Sequence, residues 1–159
     1  MHTLGNISLL DREKTAFLCS RTLHSAGILP SLDWSTSLNP QSDCVIGGFQ
    51  SDLERDVLRF LLRKKIPVII VLARSMYSTL PEEYRQPIDE GRMLIISTTD
   101  APRVSKANAQ KRNLYVASQC QKLIIGSLPQ ASSLNEVVNW HQNNGVEVEV
   151  LGGVIHAVP

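Results

Sequence analysis

Asp43-Cys44-Val45-Ile46-Gly47-Gly48-Phe49-Gln50-Ser51-Asp52-Leu53-Glu54 decides how the rest of the chain is read. Cys44–Ile46 is a short apolar run between turn formers, which reads as a strand. Gly47 and Gly48 supply a turn. Ser51 and Glu54 then stand at the spacing of a capping box, with each side chain satisfying the other's backbone N–H at a helix start. Strand, glycine turn and helix start make the first half of an α/β crossover, and they present free N–H groups to an anion. Asp52 and Glu54 place negative charge at the same helix start. A phosphate is therefore expected over Arg21 and the glycines, away from the helix axis.

Outward from that stretch, strands and helices alternate. Strands are expected at Thr15–Cys19, Pro67–Ala73, Met93–Ile96 and Lys122–Ile125, the first two apolar without alternation. Such runs are buried on both faces, as in a parallel sheet covered by helices. Val146–Leu151 alternates and belongs near a sheet edge, and Val154–Val158 reads as a last short strand. Helices are expected after Pro30 to about Asn39, over Asp52–Lys64, over Pro81–Glu90 with a break at Pro87, over Val104–Gln119, and from Ser132 or Ser133 to Asn144. Leu53, Val57, Leu58, Leu61 and Leu62 form one stripe of the second helix. Arg63, Lys64 and Lys65 at its end complement the helix dipole. Met1–Glu13 is a lead-in, with Gly5-Asn6 as a turn.

The pattern predicts a single α/β domain over 14–159, an open, mostly parallel, Rossmann-like doubly wound sheet. Ligands of such sheets sit at the carboxyl ends of the strands, where the winding reverses. The residues to examine are Ser20-Arg21, Gly47-Gly48-Phe49, Arg74, Ser97 and Gly126-Ser127. Arg92 and Arg112 join them, because arginine offers a planar fork to phosphate oxygens.

Composition narrows the function. The 159 residues carry a formal net charge of +1, which excludes a nucleic-acid binder that works by bulk charge but leaves room for a local basic pocket. Aromatic residues are 5%, too few for a broad base-stacking platform. Cys19, Cys44 and Cys120 lie far apart in apolar runs and read as reduced, buried thiols. No secretory leader is visible, and the longest apolar run, Ile66–Ala73, is too short to span a bilayer. A cytoplasmic protein is expected. His2, His24, His141 and His156 show no metal spacing and no partnered nucleophile, so neither a metal nor a cofactor is expected. Trp34 and Trp140 fall in helical patterns and read as core or interface residues.

KTAFLCSR at Lys14–Arg21 resembles the first strand and Gly-Ser-Arg turn of the DNA processing protein A (Smf) family, within the wider SLOG group of Rossmann-like domains. CVIGGFQSDLE resembles that family's second-strand motif. GRMLIIS at Gly91–Ser97 resembles the next segment, and KRNLYVASQCQKLIIGS at Lys111–Ser127 its Arg-Asn helix and following strand. The resemblance implies a core that binds single-stranded DNA in a phosphate pocket, protects it and hands it to a recombinase. A homodimer is expected with it. By carry-over, Arg21 would contact phosphate, Gly47 and Gly48 would let the backbone approach, and Arg112 and Asn113 would close the pocket.

The sequence departs from the pattern twice. Cys19 stands where the first motif has glycine. Leu128–Glu136 stands where the group's phosphoribohydrolases carry a glycine-rich Pro-Gly-Gly-x-Gly-Thr-x-x-Glu loop. Without those glycines the backbone amides are not turned inward, and the loop should bind phosphate poorly. Three readings remain. The favoured one is non-catalytic binding of single-stranded DNA or nucleotide phosphate. The others are a nucleotide sensor and a nucleoside 5′-monophosphate phosphoribohydrolase using Glu136 or Glu54.

Overall fold

The computed structural model describes residues 1–20, 25–129 and 132–152, and the backbone of 154–155. Strands are β1 (His2–Gly5), β2 (Thr15–Leu18), β3 (Val45–Gly47), β4 (Val68–Leu72), β5 (Met93–Ser97), β6 (Lys122–Ile125), β7 (Leu128–Pro129), β8 (Glu147–Val150) and β9 (Val154–Ile155). Helices are α1 (Ile28–Ser37), α2 (Asp52–Arg63), α3 (Arg85–Asp89), α4 (Lys106–Ser118) and α5 (Leu134–Asn143). Among the described residues, seven strands form one sheet in the order β1-β5-β4-β3-β2-β6-β8. All neighbours are parallel except β1 and β5.

Apolar strands explain the layering. Successive side chains point to opposite faces, and both faces need cover. Ala16, Leu18, Ile46, Ile69, Val71, Leu94, Ile96, Leu123 and Ile125 pack with Val116 and Ala117 of α4 and Val137 and Val138 of α5. Phe17, Val45, Val68, Ile70, Met93, Ile95 and Ile124 pack with Leu53, Val57, Leu58 and Leu61 of α2, with Leu32 and Trp34 of α1 against them. The Trp34 ring stacks on Phe17 at 5.2 Å between centroids. The fold is the doubly wound α/β sheet that the alternation of elements predicts.

The winding reverses at β2. From β2 the chain steps outward through β3, β4 and β5, then α4 carries it back to β6 on the other side of β2. The carboxyl end of β2, flanked by β3 and β6, is therefore the crevice.

Several boundaries differ from expectation. The lead-in supplies β1, which pairs antiparallel with β5 from His2 opposite Ser97 to Gly5 opposite Leu94. Both proline effects were overstated. Pro30 is the third residue of α1 and Pro87 the third of α3. A first-turn N–H has no helical partner anyway, so its loss there breaks nothing. The last strand, β9, pairs with β7 in a separate two-stranded ribbon and does not join the main sheet. Among the described residues, no helix is long and apolar enough to cross a membrane.

Candidate nucleotide-binding cleft

A cleft of about 800 Å³ opens at the carboxyl end of β2, the size range of small-molecule sites. Ser20 closes β2 on one side, and Gln50, Ser51, Asp52, Glu54 and Arg55 form the wall from the β3–α2 turn. Lys106, Gln110, Arg112 and Asn113 come from α4, and Ser132–Leu134 and Glu136 from the start of α5.

The β3–α2 turn is held by its cap. Ser51 Oγ accepts from the Glu54 N–H at 3.3 Å and donates to Glu54 Oε1 at 2.7 Å, and the Ser51 N–H donates to the same oxygen at 3.2 Å. This is the capping box read from the sequence, worth about 0.5–2 kcal/mol at the Ser51 cap. The backbone there is unusual at one point. Phe49 has φ +48°, the left-handed region that a bulky residue seldom adopts. Its ring is buried in the α2-side core with Leu53 and Val57, which compensates the strain. The turn therefore bends at Phe49, and neither Gly47 nor Gly48 has a positive φ.

The glycines are needed for space instead. A Cβ on Gly47 would lie 2.9 Å from the Phe17 carbonyl oxygen. One on Gly48 would lie 2.5 Å from Arg112 Cζ and 2.7 Å from Arg112 Nε. The Arg112 guanidinium thus rests on the bare Cα of Gly48. It is buried, at 6% exposure, and donates from Nη2 to Gln50 Oε1 at 3.1 Å and from Nε to Asn113 Oδ1 at 2.8 Å.

Beside it lies Glu54, 5% exposed. Burial pushes its carboxyl pKa above the ordinary value, against the Ser51 hydrogen bonds and the Arg112 charge. Burial likewise pushes the neighbouring Cys19 thiol to about 12. Lys106, Arg55 and Arg112 supply positive charge to the cleft, and Asp52, Glu54 and Glu136 negative. Among the described residues, these charges balance, unlike a purely cationic phosphate pocket.

Of the residues singled out in the sequence, Ser20, Arg112 and Asn113 line one cleft. Gly47, Gly48 and Phe49 shape its wall from behind. Arg21 lies outside the described residues, as do His24 and His156. Arg74 is not brought to the cleft; it stands past the end of β4 with its guanidinium 5.7 Å from the Tyr77 ring centre. Gly126 and Ser127 are also elsewhere, packed beneath α1 and the 151–152 segment. A Cβ on Gly126 would lie 2.8 Å from Ser31 Oγ, and one on Gly152 would lie 2.8 Å from Gly27 Cα. Ser97 is buried, its Oγ donating to the Arg74 carbonyl at 2.7 Å. Arg92 precedes β5, at the opposite end of the sheet, and pairs with Glu90 at 2.6 Å.

The reading from sequence missed Gln50 and Arg55. Their signal was position alone, at the two sides of the Ser51 cap. Glu136 lines the cleft and accepts from Gln110 Nε2 at 3.3 Å. His141 is buried between the Val137 and Ala117 carbonyl oxygens, and Trp140 is half exposed. Among the described residues, no cluster of three or more His, Cys, Asp or Glu could hold a metal ion.

The family model described as DNA recombination-mediator protein A matches residues 1–157. No curated protein matches the chain. The fold is similar to that of DNA processing protein A from Helicobacter pylori, described for its single-stranded DNA binding mode, with TM-score 0.72 and 18% identity over 93% of this chain and 69% of that one. It is also similar to DNA processing protein A from Streptococcus pneumoniae, with TM-score 0.75 and 18% identity over 93% of this chain and 53% of that one. The chain thus spans about half the length of the Streptococcus protein.

Proposed function

The chain belongs to the DNA recombination-mediator protein A family, and from that premise we propose that it binds single-stranded DNA in the cleft at the carboxyl end of β2, without chemistry. The observation that carries this reading is the cleft itself. It lies at the reversal of the sheet, where Lys106, Arg55 and Arg112 meet hydrogen-bonding side chains of the β3–α2 turn and α4. The Helicobacter protein of the same fold supports it, since a single-stranded DNA binding mode is described for that protein.

A strand enters with its phosphates near Lys106 and Arg55, the exposed cations, while Arg112 is occupied inside the wall. Carry-over of Arg21 as a phosphate contact, of a recombinase as recipient and of a homodimer belongs to the same proposal. The test is fluorescence anisotropy with a labelled single-stranded oligonucleotide at low salt. Binding that weakens in Lys106→Ala and with added salt is the expected result. No binding at tens of micromolar (~10⁻⁵ M), where even non-specific complexes are populated, would remove the reading.

One observation favours a second reading. Glu54 and Glu136 line the same cleft as Arg112, so a mononucleotide could be held there and its N-glycosidic bond approached by a carboxylate. Incubation with nucleoside 5′-monophosphates, followed by chromatography, tests it. Free base lost in Glu54→Gln or Glu136→Gln would establish hydrolysis. Thermal stabilisation by mononucleotides without free base would point to a sensor.

A further inference from the structure

The outer face of α2 carries charge that the cleft does not use. Arg55, Arg59 and Arg63 recur every fourth residue and are all exposed. They therefore stand in one row, each about 6 Å along the helix axis from the last. Lys64 and Lys65 follow, also exposed. Residues 59–65 thus hold four cations and no carboxylate, in a chain whose formal net charge is +1. The row starts at the cleft rim, where Arg55 lies. It ends about 12 Å further on at Arg63, at the opposite end of the sheet, where the chain turns into β4.

Local duties account for only part of this charge. Lys64 donates to the Thr36 carbonyl near the end of α1. Arg59 pairs with Asp56 at 2.9 Å and Arg55 with Asp52 at 3.8 Å, all four side chains being well exposed. Such pairs hold weakly enough for a phosphate to replace the carboxylate. The helix dipole favours cations within the last turn, and Arg59 precedes that turn. Arg63 makes no ion pair among the described residues; its guanidinium rests 5.7 Å from the Phe60 ring centre, which holds the fork at the surface. Lys65 is the clearest sign. It has φ +59°, at the position past a helix end where glycine is the usual residue. The paired bonds of that turn are present, from the Lys65 N–H to the Leu62 carbonyl at 3.1 Å and from the Ile66 N–H to the Leu61 carbonyl at 3.0 Å. Glycine would make the same turn without strain. The backbone strain instead keeps a long, exposed cation at the end of the row.

Resting on the single-stranded DNA reading above, we infer that the outer face of α2 is a second contact surface, a track for the sugar-phosphate backbone of a strand that has left the cleft. Arg55 passes the backbone over the rim, and Arg59, Arg63 and Lys65 neutralise the phosphates that follow. Cations at this interval match successive phosphates of an extended single strand, and the arginine fork takes two phosphate oxygens at once. The contact is with phosphate alone, so this face lengthens the footprint and adds affinity without sequence preference.

The experiment measures anisotropy with two labelled oligothymidylates, of about 6 and about 20 nucleotides, at several salt concentrations. The shorter fills the cleft alone and the longer reaches α2. The variant combines Arg59→Ala, Arg63→Ala and Lys65→Gly. Alanine is the best helix former and glycine relieves the left-handed turn, so the fold is kept. The longer oligomer is expected to bind the wild type more tightly, with a steeper fall of log affinity against log salt. The triple variant should reduce that slope by about 2, at about 0.7 for each cation removed. It should also lower the longer oligomer's affinity towards that of the shorter, whose binding stays unchanged. If the longer oligomer keeps its affinity and slope in the variant, as it would were this face kept for an acidic protein, the track is overturned and the cleft reading stands. An equal loss for both oligomers would overturn it too, since removed charge would then act on the cleft from a distance. Failure of both oligomers to bind the wild type would remove the single-stranded DNA reading, and this inference with it.

Discussion

The guanidinium of Arg112 lies flat against the Cα of Gly48, with no room for a β-carbon between them. One contact thereby joins α4 to the β3–α2 turn and sets the depth of the cleft. Gly48→Ala should push Arg112 out of place at a cost of about 1–3 kcal/mol, as for other overpacked sites. Arg112→Ala should make the added methyl harmless. The double variant is expected to be no less stable than Arg112→Ala alone, a non-additive pair. Urea unfolding of the three proteins checks this. Additive losses would show that the two residues do not share the space.

Glu54 should make stability depend on pH. The folded protein holds its carboxyl proton more tightly than the unfolded chain, where the group titrates near 4.5. The contribution is complete below that value and is lost as the pH rises through the folded pKa. Glu54→Gln does not titrate. Its stability relative to wild type should therefore rise as the pH climbs above about 4.5, measured by urea midpoints across a pH series. A difference that is flat with pH would show that burial does not hold the proton there.

Lys106 separates binding from stability. It is the first residue of α4, exposed, at the positive end of the helix dipole. Removing a cation there should stabilise the fold by about 0.3–1 kcal/mol. The same Lys106→Ala change should weaken single-stranded DNA binding and reduce the slope of log affinity against log salt by about 0.7. Melting curves and anisotropy at several salt concentrations test both halves. Unchanged affinity would take Lys106 out of the interface.

The cysteines should be inert until the protein unfolds. Cys19, Cys44 and Cys120 are free and buried. Burial raises the Cys19 thiol to about 12 and the Cys44 thiol to about 11. Only the thiolate attacks a disulfide reagent, so a chromogenic disulfide at pH near 8 should label the native protein slowly and label it fully in denaturant. Fast labelling of the folded protein would contradict this burial.

The fold was legible because its central strands are uniformly apolar. A run such as Val68-Ile69-Ile70-Val71-Leu72 can only be a strand covered on both faces, and the Ser51–Glu54 spacing announced the next helix. The site was legible in part. Strand ends can be read from sequence, but the cover over them cannot. Gly126 and Ser127 end their strand as expected, yet α1 and the 151–152 segment seal them off. Arg74 ends β4, too far along the sheet from β2 to share the crevice. The glycine pair was found for the wrong reason. Gly48 is bare to receive Arg112, while the left-handed turn falls to Phe49. Gln50 has no periodic or motif signal, and its place in the wall comes from a hydrogen bond to a residue 62 positions away.

β1 completes the outer edge of the sheet by lying antiparallel to β5. During synthesis on the ribosome, His2–Gly5 emerge long before Met93–Ser97, their sheet partners among the described residues. The nascent chain must therefore carry this tetrapeptide unpaired until β5 has left the exit tunnel, so this edge of the sheet closes only after β2, β3 and β4 have been made.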